Sequence, residues 1–228
     1  MGEPKGGAPP GSSGRALAAR LVDPADPAPE PIAWAVALML SGGVVAYPTE
    51  TFYGLGADPF QEKALERVYA IKGRDFGKPL PLIASDIASA RGVAGDWPLL
   101  ADRLAERFWP GPLTLVVEAS ARLPVLLHAG TGKIAVRVSP HGAARALAAG
   151  LGGAIVATSA NRAGEPARDD PRRLSSTILS GVDGLIDAGK TVGGRPSTMV
   201  DATVSPPRLL RAGALRRAEV EEFLKSRL

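Results

Sequence analysis

Cysteine is absent from the chain. Disulfides, thiolate nucleophiles and cysteine-based metal sites are therefore excluded. Histidine is nearly absent, with only His128 and His141. Neither has partners at metal-ligand spacing and no H-E-x-x-H occurs, so both read as structural or solvent-facing and no metal site is expected. Charge of one sign is also scarce: 27 basic and 23 acidic side chains leave a net charge of +4. That balance permits an anionic ligand without demanding one. No apolar run approaches the roughly 20 residues that span a bilayer. The longest candidate, Ile32 to Leu40, is far too short. A membrane is thus not expected as a partner, and a cytoplasmic location is expected, although the lack of cysteine fits any compartment. There is no G-x-S-x-G elbow and no G-x-G-x-x-G after the first strand, and the one G-x-x-x-x-G-K-[ST] string, Gly184 to Thr191, has the expected strand Leu185–Asp187 inside it rather than before it, as a phosphate loop would need. A serine triad and both glycine-rich phosphate cradles drop out. Any nucleotide must be held by scattered side chains.

What is present is a 228-residue chain with 45% apolar residues, enough to bury a substantial core. Residues 1–30, rich in Gly, Pro, Ala and Ser, read as a disordered tail in which Ala16–Val22 is either a transient helix or a docked strand. Residues 31–228 read as one catalytic domain. Helical spacing is expected for Ile32 to Leu40, Gln61–Lys72, Pro98–Phe108, Gly142–Ala149 and Arg217–Leu228, with a further helix capped by Asp170. Strands are expected at Val44–Tyr47, Pro81–Ala84, Thr114–Glu118, Ile134–Val138, Ala154–Ala157, Leu185–Asp187, Met199–Ala202 and Arg208–Arg211. Strands that follow one another without a regular helix between them point to an α/β fold. Its expected form is a twisted, open, mixed sheet flanked by helices.

Five segments carry the chemistry. Tyr47-Pro48-Thr49-Glu50-Thr51 runs from a buried strand into hydroxyls, then Tyr53-Gly54-Leu55-Gly56. Its bland reading is a turn whose threonines bond to nearby backbone. Lys72, Arg74 and Lys78 cluster at a helix end, where they suit either the helix dipole or a triphosphate. In Lys133–Val138, alternation puts Lys133, Ala135 and Arg137 on one face and Ile134, Val136 and Val138 on the other. That strand is either a charged edge or the floor of an anion pocket, with Arg137 the better carboxylate ligand through its bidentate fork. Thr158-Ser159-Ala160-Asn161 follows a buried strand. Ser197-Thr198 opens another, and Arg211 precedes Gly213 at a strand-end turn.

Taken in order, these segments resemble the YrdC-type threonylcarbamoyl-AMP synthase family. The most specific matches are Pro48-Thr49-Glu50-Thr51 with Tyr53-Gly54-Leu55-Gly56, Lys72-x-Arg74 with Lys78-Pro79-Leu80, and Ser159-Ala160-Asn161. The resemblance covers residues 31 to 213. It implies a YrdC-like fold and a nucleotidyltransferase that joins L-threonine, bicarbonate or CO2, and ATP into threonylcarbamoyl-AMP and pyrophosphate. A partner transferase complex then modifies the tRNA adenosine beside the anticodon. It further implies threonine binding by Thr51, Arg137, Ser159 and Ser197, and ATP binding by Arg74, Lys78, Lys133, Asn161 and Arg211. Lys72 and Arg74 would be the catalytic pair, with Mg2+ carried in on ATP. Contact with tRNA or double-stranded RNA is a further implied partner. The chain departs from the family where a histidine often follows the Lys-Pro-Leu strand; here Ser85 is the hydroxyl on offer. Pro196 also stands where an acid is usual. With no extra domain before Leu228, the chain reads as the short form. The competing reading is a non-catalytic double-stranded RNA-binding or ribosome-maturation protein of the same fold. A larger carbamoyl-adenylating enzyme would need a second site for which the chain has no room.

Overall fold

A computed structural model describes residues 17–23 and 26–225. Two open mixed sheets form its centre, where the sequence suggested one. The first holds five strands: β1 (Ala19–Leu21), β9 (Gly184–Asp187), β2 (Val45–Pro48), β3 (Tyr53–Gly56) and β8 (Thr158–Ser159), in that spatial order. The second holds β11 (Arg208–Arg211), β10 (Thr198–Asp201), β5 (Leu113–Glu118), β6 (Lys133–Val138), β4 (Leu82–Ala84) and β7 (Ala154–Val156). Each mixes parallel and antiparallel pairs. For example, β10 lies parallel to β5, and β5 antiparallel to β6.

The chain passes from one sheet to the other through Ala157, the only residue between β7 and β8. Hydrogen bonds stitch this seam. Val156 N–H donates to Ala57 O (3.1 Å), Ala157 N–H to Pro81 O (2.8 Å), and the buried Tyr47 hydroxyl to Val156 O (3.0 Å).

Helices cover the sheets unevenly. On one side α2 (Glu62–Lys72), α3 (Ile87–Gly92), α4 (Leu99–Phe108), α5 (Val125–His128) and α7 (Ser176–Gly181) enclose the larger core. The C-terminal α8 (Arg217–Lys225) adds Val220 to it. On the other side α1 (Pro29–Leu40) and α6 (Gly142–Gly150) pack against each other and on β9, β2 and β4. A second core of Ile32, Met39, Tyr47, Ile83, Leu147 and Ile155 lies there. The face of β5, β6, β10 and β11 that lies beyond these two helices stays open. Alternation then fixes what faces where: in β6 Ile134, Val136 and Val138 are buried while Lys133, Ala135 and Arg137 are only half covered. This strand has neighbours on both sides, so the edge-strand reading of Lys133 and Arg137 is set aside.

Two details differ from the sequence expectation, and one of its open alternatives is settled. Of the two alternatives for the Ala16–Val22 segment the docked strand holds: Ala19–Leu21 pairs in parallel with β9, and backbone hydrogen bonding secures a strand that buries little side chain. Residues 1–16 lie outside the described residues. Asp170 does cap a turn, accepting from Arg172 N–H, but the turn is a three-residue 3-10 helix (Pro171–Arg173). The final helix forms over Arg217–Lys225, within its expected span, and residues 226–228 lie outside the described residues. Lastly, β3 was hidden by its glycines, which weaken strands. A Cβ on Gly56 would sit 2.7 Å from Ile155 Cδ1 and 2.9 Å from Tyr47 Cε1. Glycine is required there because the Tyr47 ring lies across the strand.

Candidate functional site

The uncovered face of the second sheet floors a cavity of about 790 Å³, within the roughly 300–1,000 Å³ typical of small-ligand sites. Its floor is Thr114 and Val116 of β5, Lys133, Ala135 and Arg137 of β6, and Met199 and Asp201 of β10. Its opposite wall comes from the first sheet and the seam: Thr51, Phe52, Gly54, Thr158 and Ser159. Arg74, placed just past α2 by the left-handed Gly73 cap, and Arg211 at the end of β11 complete it.

Seven of the sequence candidates line this one cavity: Thr51, Arg74, Lys133, Arg137, Ser159, Ser197 and Arg211. Three do not. Lys78 is exposed at a turn, with its carbonyl accepting from the Tyr69 hydroxyl. Asn161 is buried, and its amide nitrogen donates to the carbonyls of Arg162 (2.9 Å) and Glu165 (2.6 Å), which holds the turn, while its Oδ1 has no partner among the described residues. Lys72 is buried behind the wall. Its ammonium donates to Ser159 O (2.5 Å) and Asn161 O (2.9 Å). Burial, and then the charge of Arg74, lower its pKa to about 8. Lys72 therefore braces the Thr158–Asn161 wall. Ser85, the proposed stand-in for the missing histidine, also lies outside the cavity; its hydroxyl is engaged with Ser89 (2.8 Å) and Asp86 (3.2 Å).

The two threonines of the first motif divide the work. The Thr49 hydroxyl donates to Phe52 O (2.7 Å) and accepts from Thr51 and Phe52 N–H (both 3.3 Å). That is the local turn foreseen as the bland reading. It leaves Thr51 facing the cavity.

Electrostatics separate the four cations lining the cavity. Lys133 is paired with Asp201 (3.3 Å) and bonded to Thr203 Oγ1 (2.6 Å). Burial raises the Asp201 pKa, yet hydrogen bonds from Thr203 and Lys133 hold it below the usual carboxylate range. Arg137 is paired with Glu50, Nη1 to Oε1 2.7 Å, close as an ion pair though poorly aligned as a hydrogen bond. Arg74 and Arg211 form no ion pair among the described residues. Arg74 donates to Pro79 O (3.0 Å) and, at 3.5 Å, to Thr158 Oγ1, while its buried Nε has no partner. Arg211 donates to Ser197 O (2.9 Å) and Ser197 Oγ (3.1 Å). Burial lowers the proton affinity of both guanidinium groups, with the Arg137 charge adding to the effect at Arg211. Arg74, partly buried without a carboxylate, is costly unless an anion is to be received, while Arg211 stands exposed at the rim. The arrangement can hold a polyanion at Arg74 and Arg211 and a smaller carboxylate at Arg137.

Sequence reasoning missed Thr114 and Asp201. Thr114 Oγ1 meets Ser197 Oγ at 2.7 Å, which fixes that hydroxyl together with Arg211. The signal was the alternation of β5: Thr114 shares a face with Val116 and Glu118, opposite the apolar Leu113, Leu115 and Val117.

The Ser197 corner yields a stability prediction. A Cβ on Gly213 would lie 2.3 Å from Pro196 O and 2.4 Å from Ser197 C, both backbone atoms. Gly213→Ala should cost about 1–3 kcal/mol of unfolding free energy and displace Ser197. Urea denaturation checks the first effect and a crystal structure of the variant the second.

Comparison with known proteins gives the following. A family model named Sua5/YciO/YrdC and described as telomere recombination matches residues 37–213. A threonylcarbamoyl-AMP synthase of Thiobacillus denitrificans is 42% identical over 179 residues, covering 77% of this chain and 92% of that protein. One from Pyrococcus abyssi is 37% identical over 190 residues, covering 83% of this chain; the chain spans only 56% of that relative's length. The crystal structure of P. abyssi Sua5 complexed with L-threonine superposes with a TM-score of 0.85 at 35% identity, covering 90% of this chain and 60% of that one.

Proposed function

The chain belongs to the Sua5/YciO/YrdC family, and from that premise we propose that it is an L-threonylcarbamoyladenylate synthase. The neutral amine of threonine attacks CO2 and gives up a proton to solvent, forming a carbamate. A carbamate oxygen attacks the α-phosphorus of ATP, the bond to the β-phosphate oxygen breaks, and pyrophosphate leaves. A carbamate is already an anionic nucleophile, so the site needs no general base. Its tasks are alignment and charge neutralisation.

The observation that carries this reading is the division of cations in one cavity. Arg137, with Thr51, Ser159 and Ser197 beside it, suits an amino acid carboxylate and its polar neighbours. Arg74 and Arg211, free of carboxylates, suit the phosphates. Lys133 contacts the nucleotide by exchanging Asp201 for it. Lys72 acts through the wall it braces. Among the described residues Asp201 is the single carboxylate on the cavity surface, and it stays bonded to Thr203. Mg2+ therefore enters on ATP rather than in a protein carboxylate cage. Residues 31–228 act as one catalytic domain. The product passes to a transferase complex that modifies tRNA, in the cytoplasm. No helix among the described residues is long and apolar enough to cross a membrane.

The test is mass spectrometry of products from ATP, bicarbonate and threonine, with serine replacing threonine as control. Threonylcarbamoyl-AMP and equimolar pyrophosphate are expected, with less product from serine. Absence of any adenylate with threonine would overturn the assignment.

A further inference from the structure

Glu50 belongs to the first motif but does not line the cavity. It stands behind Arg137, and both of its carboxylate oxygens are engaged. Oε1 faces Arg137 Nη1 at 2.7 Å, and Oε2 accepts from the Ser139 hydroxyl at 2.6 Å. Ser139 is fully buried and anchored in turn. Its Oγ accepts from His141 N–H (3.1 Å) and its carbonyl from Arg145 Nη1 (2.9 Å). Position thus passes from the start of α6 through Ser139 to Glu50, and from there to Arg137. The side chains of Arg137 and Glu50 are only 12% and 18% exposed.

The geometry points to Glu50 as a positioning residue that, fixed by Ser139, turns the Arg137 guanidinium so that its remaining N–H groups meet the threonine carboxylate. This rests on the threonine-binding role of Arg137 proposed above. Three observations favour it over a plain staple between the two sheets. Arg137 lines the cavity while Glu50 does not. The Glu50 contact occupies one nitrogen, and Arg137 makes no other hydrogen bond or ion pair among the described residues, which leaves the rest of its fork for a ligand. Arg211 lies close enough for the two cations to repel, so an unheld Arg137 would swing away. Because Glu50 offsets the charge of Arg137, what Arg137 supplies is chiefly a fixed pair of donors. That suits a single carboxylate better than a triphosphate.

Steady-state kinetics on Glu50→Ala, Glu50→Gln and Ser139→Ala decides the matter. For Glu50→Ala the KM for threonine should rise by about 10²-fold, while the KM for ATP stays within about twofold. Glu50→Gln keeps a carbonyl acceptor for Arg137 but sets an NH2 donor against Ser139, and should recover part of the loss. Ser139→Ala keeps the ion pair and should fall between. Equal changes in both KM values, or none in that for threonine, would overturn the role. Should the wild-type protein form no product, the functional assignment fails but this inference can still be judged. The Arg137 Nε–H resonance should be sharp in the wild type and broadened in Glu50→Ala; an unchanged resonance would refute it.

Discussion

Replacing Arg74 with alanine lowers pyrophosphate release by about 10²- to 10³-fold and leaves the melting midpoint unchanged or higher. Both halves follow from one environment. The guanidinium is partly buried, its Nε has no partner, and its best protein contact is a single carbonyl, Pro79 O at 3.0 Å. Desolvation of a charge that no carboxylate offsets costs folding free energy, so alanine relieves it. The same unmet cation is what a phosphate would receive in the transition state. Lys78→Ala is the matched control, because its side chain is exposed and off the cavity; it should change turnover little. A coupled pyrophosphate assay and thermal melting measure the two halves. Turnover in Arg74→Ala equal to wild type would remove Arg74 from the phosphate site, and a collapsed melting curve would make its role structural.

Lys72→Met lowers ATP affinity and turnover by about 10²-fold without removing any group from the cavity surface. The methionine fills similar space but cannot donate to Ser159 O or Asn161 O. Two carbonyls lose their donor, and the Thr158–Ser159 wall shifts. The change in stability is smaller than those lost bonds suggest, because the variant also removes a buried charge. Its pH dependence identifies the residue. The folded chain releases the Lys72 proton near pH 8, whereas an unfolded lysine keeps it to about 10.5. Between those values the unfolded state binds more protons, so stability rises with pH through this group. The desolvation cost is full below pH 8 and fades towards 10.5. The unfolding free energy of wild type minus that of Lys72→Met should therefore grow more positive over that window. A difference that is flat with pH would mean Lys72 has an ordinary pKa and sits in solvent.

Local rules made much of the framework legible. The helix ending at Lys72 and the alternation of Lys133–Val138 follow from apolar spacing over a few residues. The division into two sheets was not legible, since it depends on pairings such as Val45 with Gly184 and Thr198 with Leu113, far apart in sequence. The short helices α3 and α5 escaped because four to six residues carry too little periodicity. At the site, residue type and order selected the right segments. They could not separate Arg74 from Lys78, four residues along, because one turn of chain decides which side chain enters the cavity. Nor could they show that Lys72 and Asn161 point away from it, for their partners are backbone carbonyls that any sequence supplies.

The single-residue seam at Ala157 limits how the cavity can vary. Strand faces alternate with every residue. One amino acid inserted between Val156 and Thr158 would turn Ser159 out of the cavity and send a neighbour inward. It would also break the bond from Ala157 to Pro81. Substitutions are therefore far better tolerated at this joint than changes in its length, and loop-grafting efforts should leave its spacing untouched.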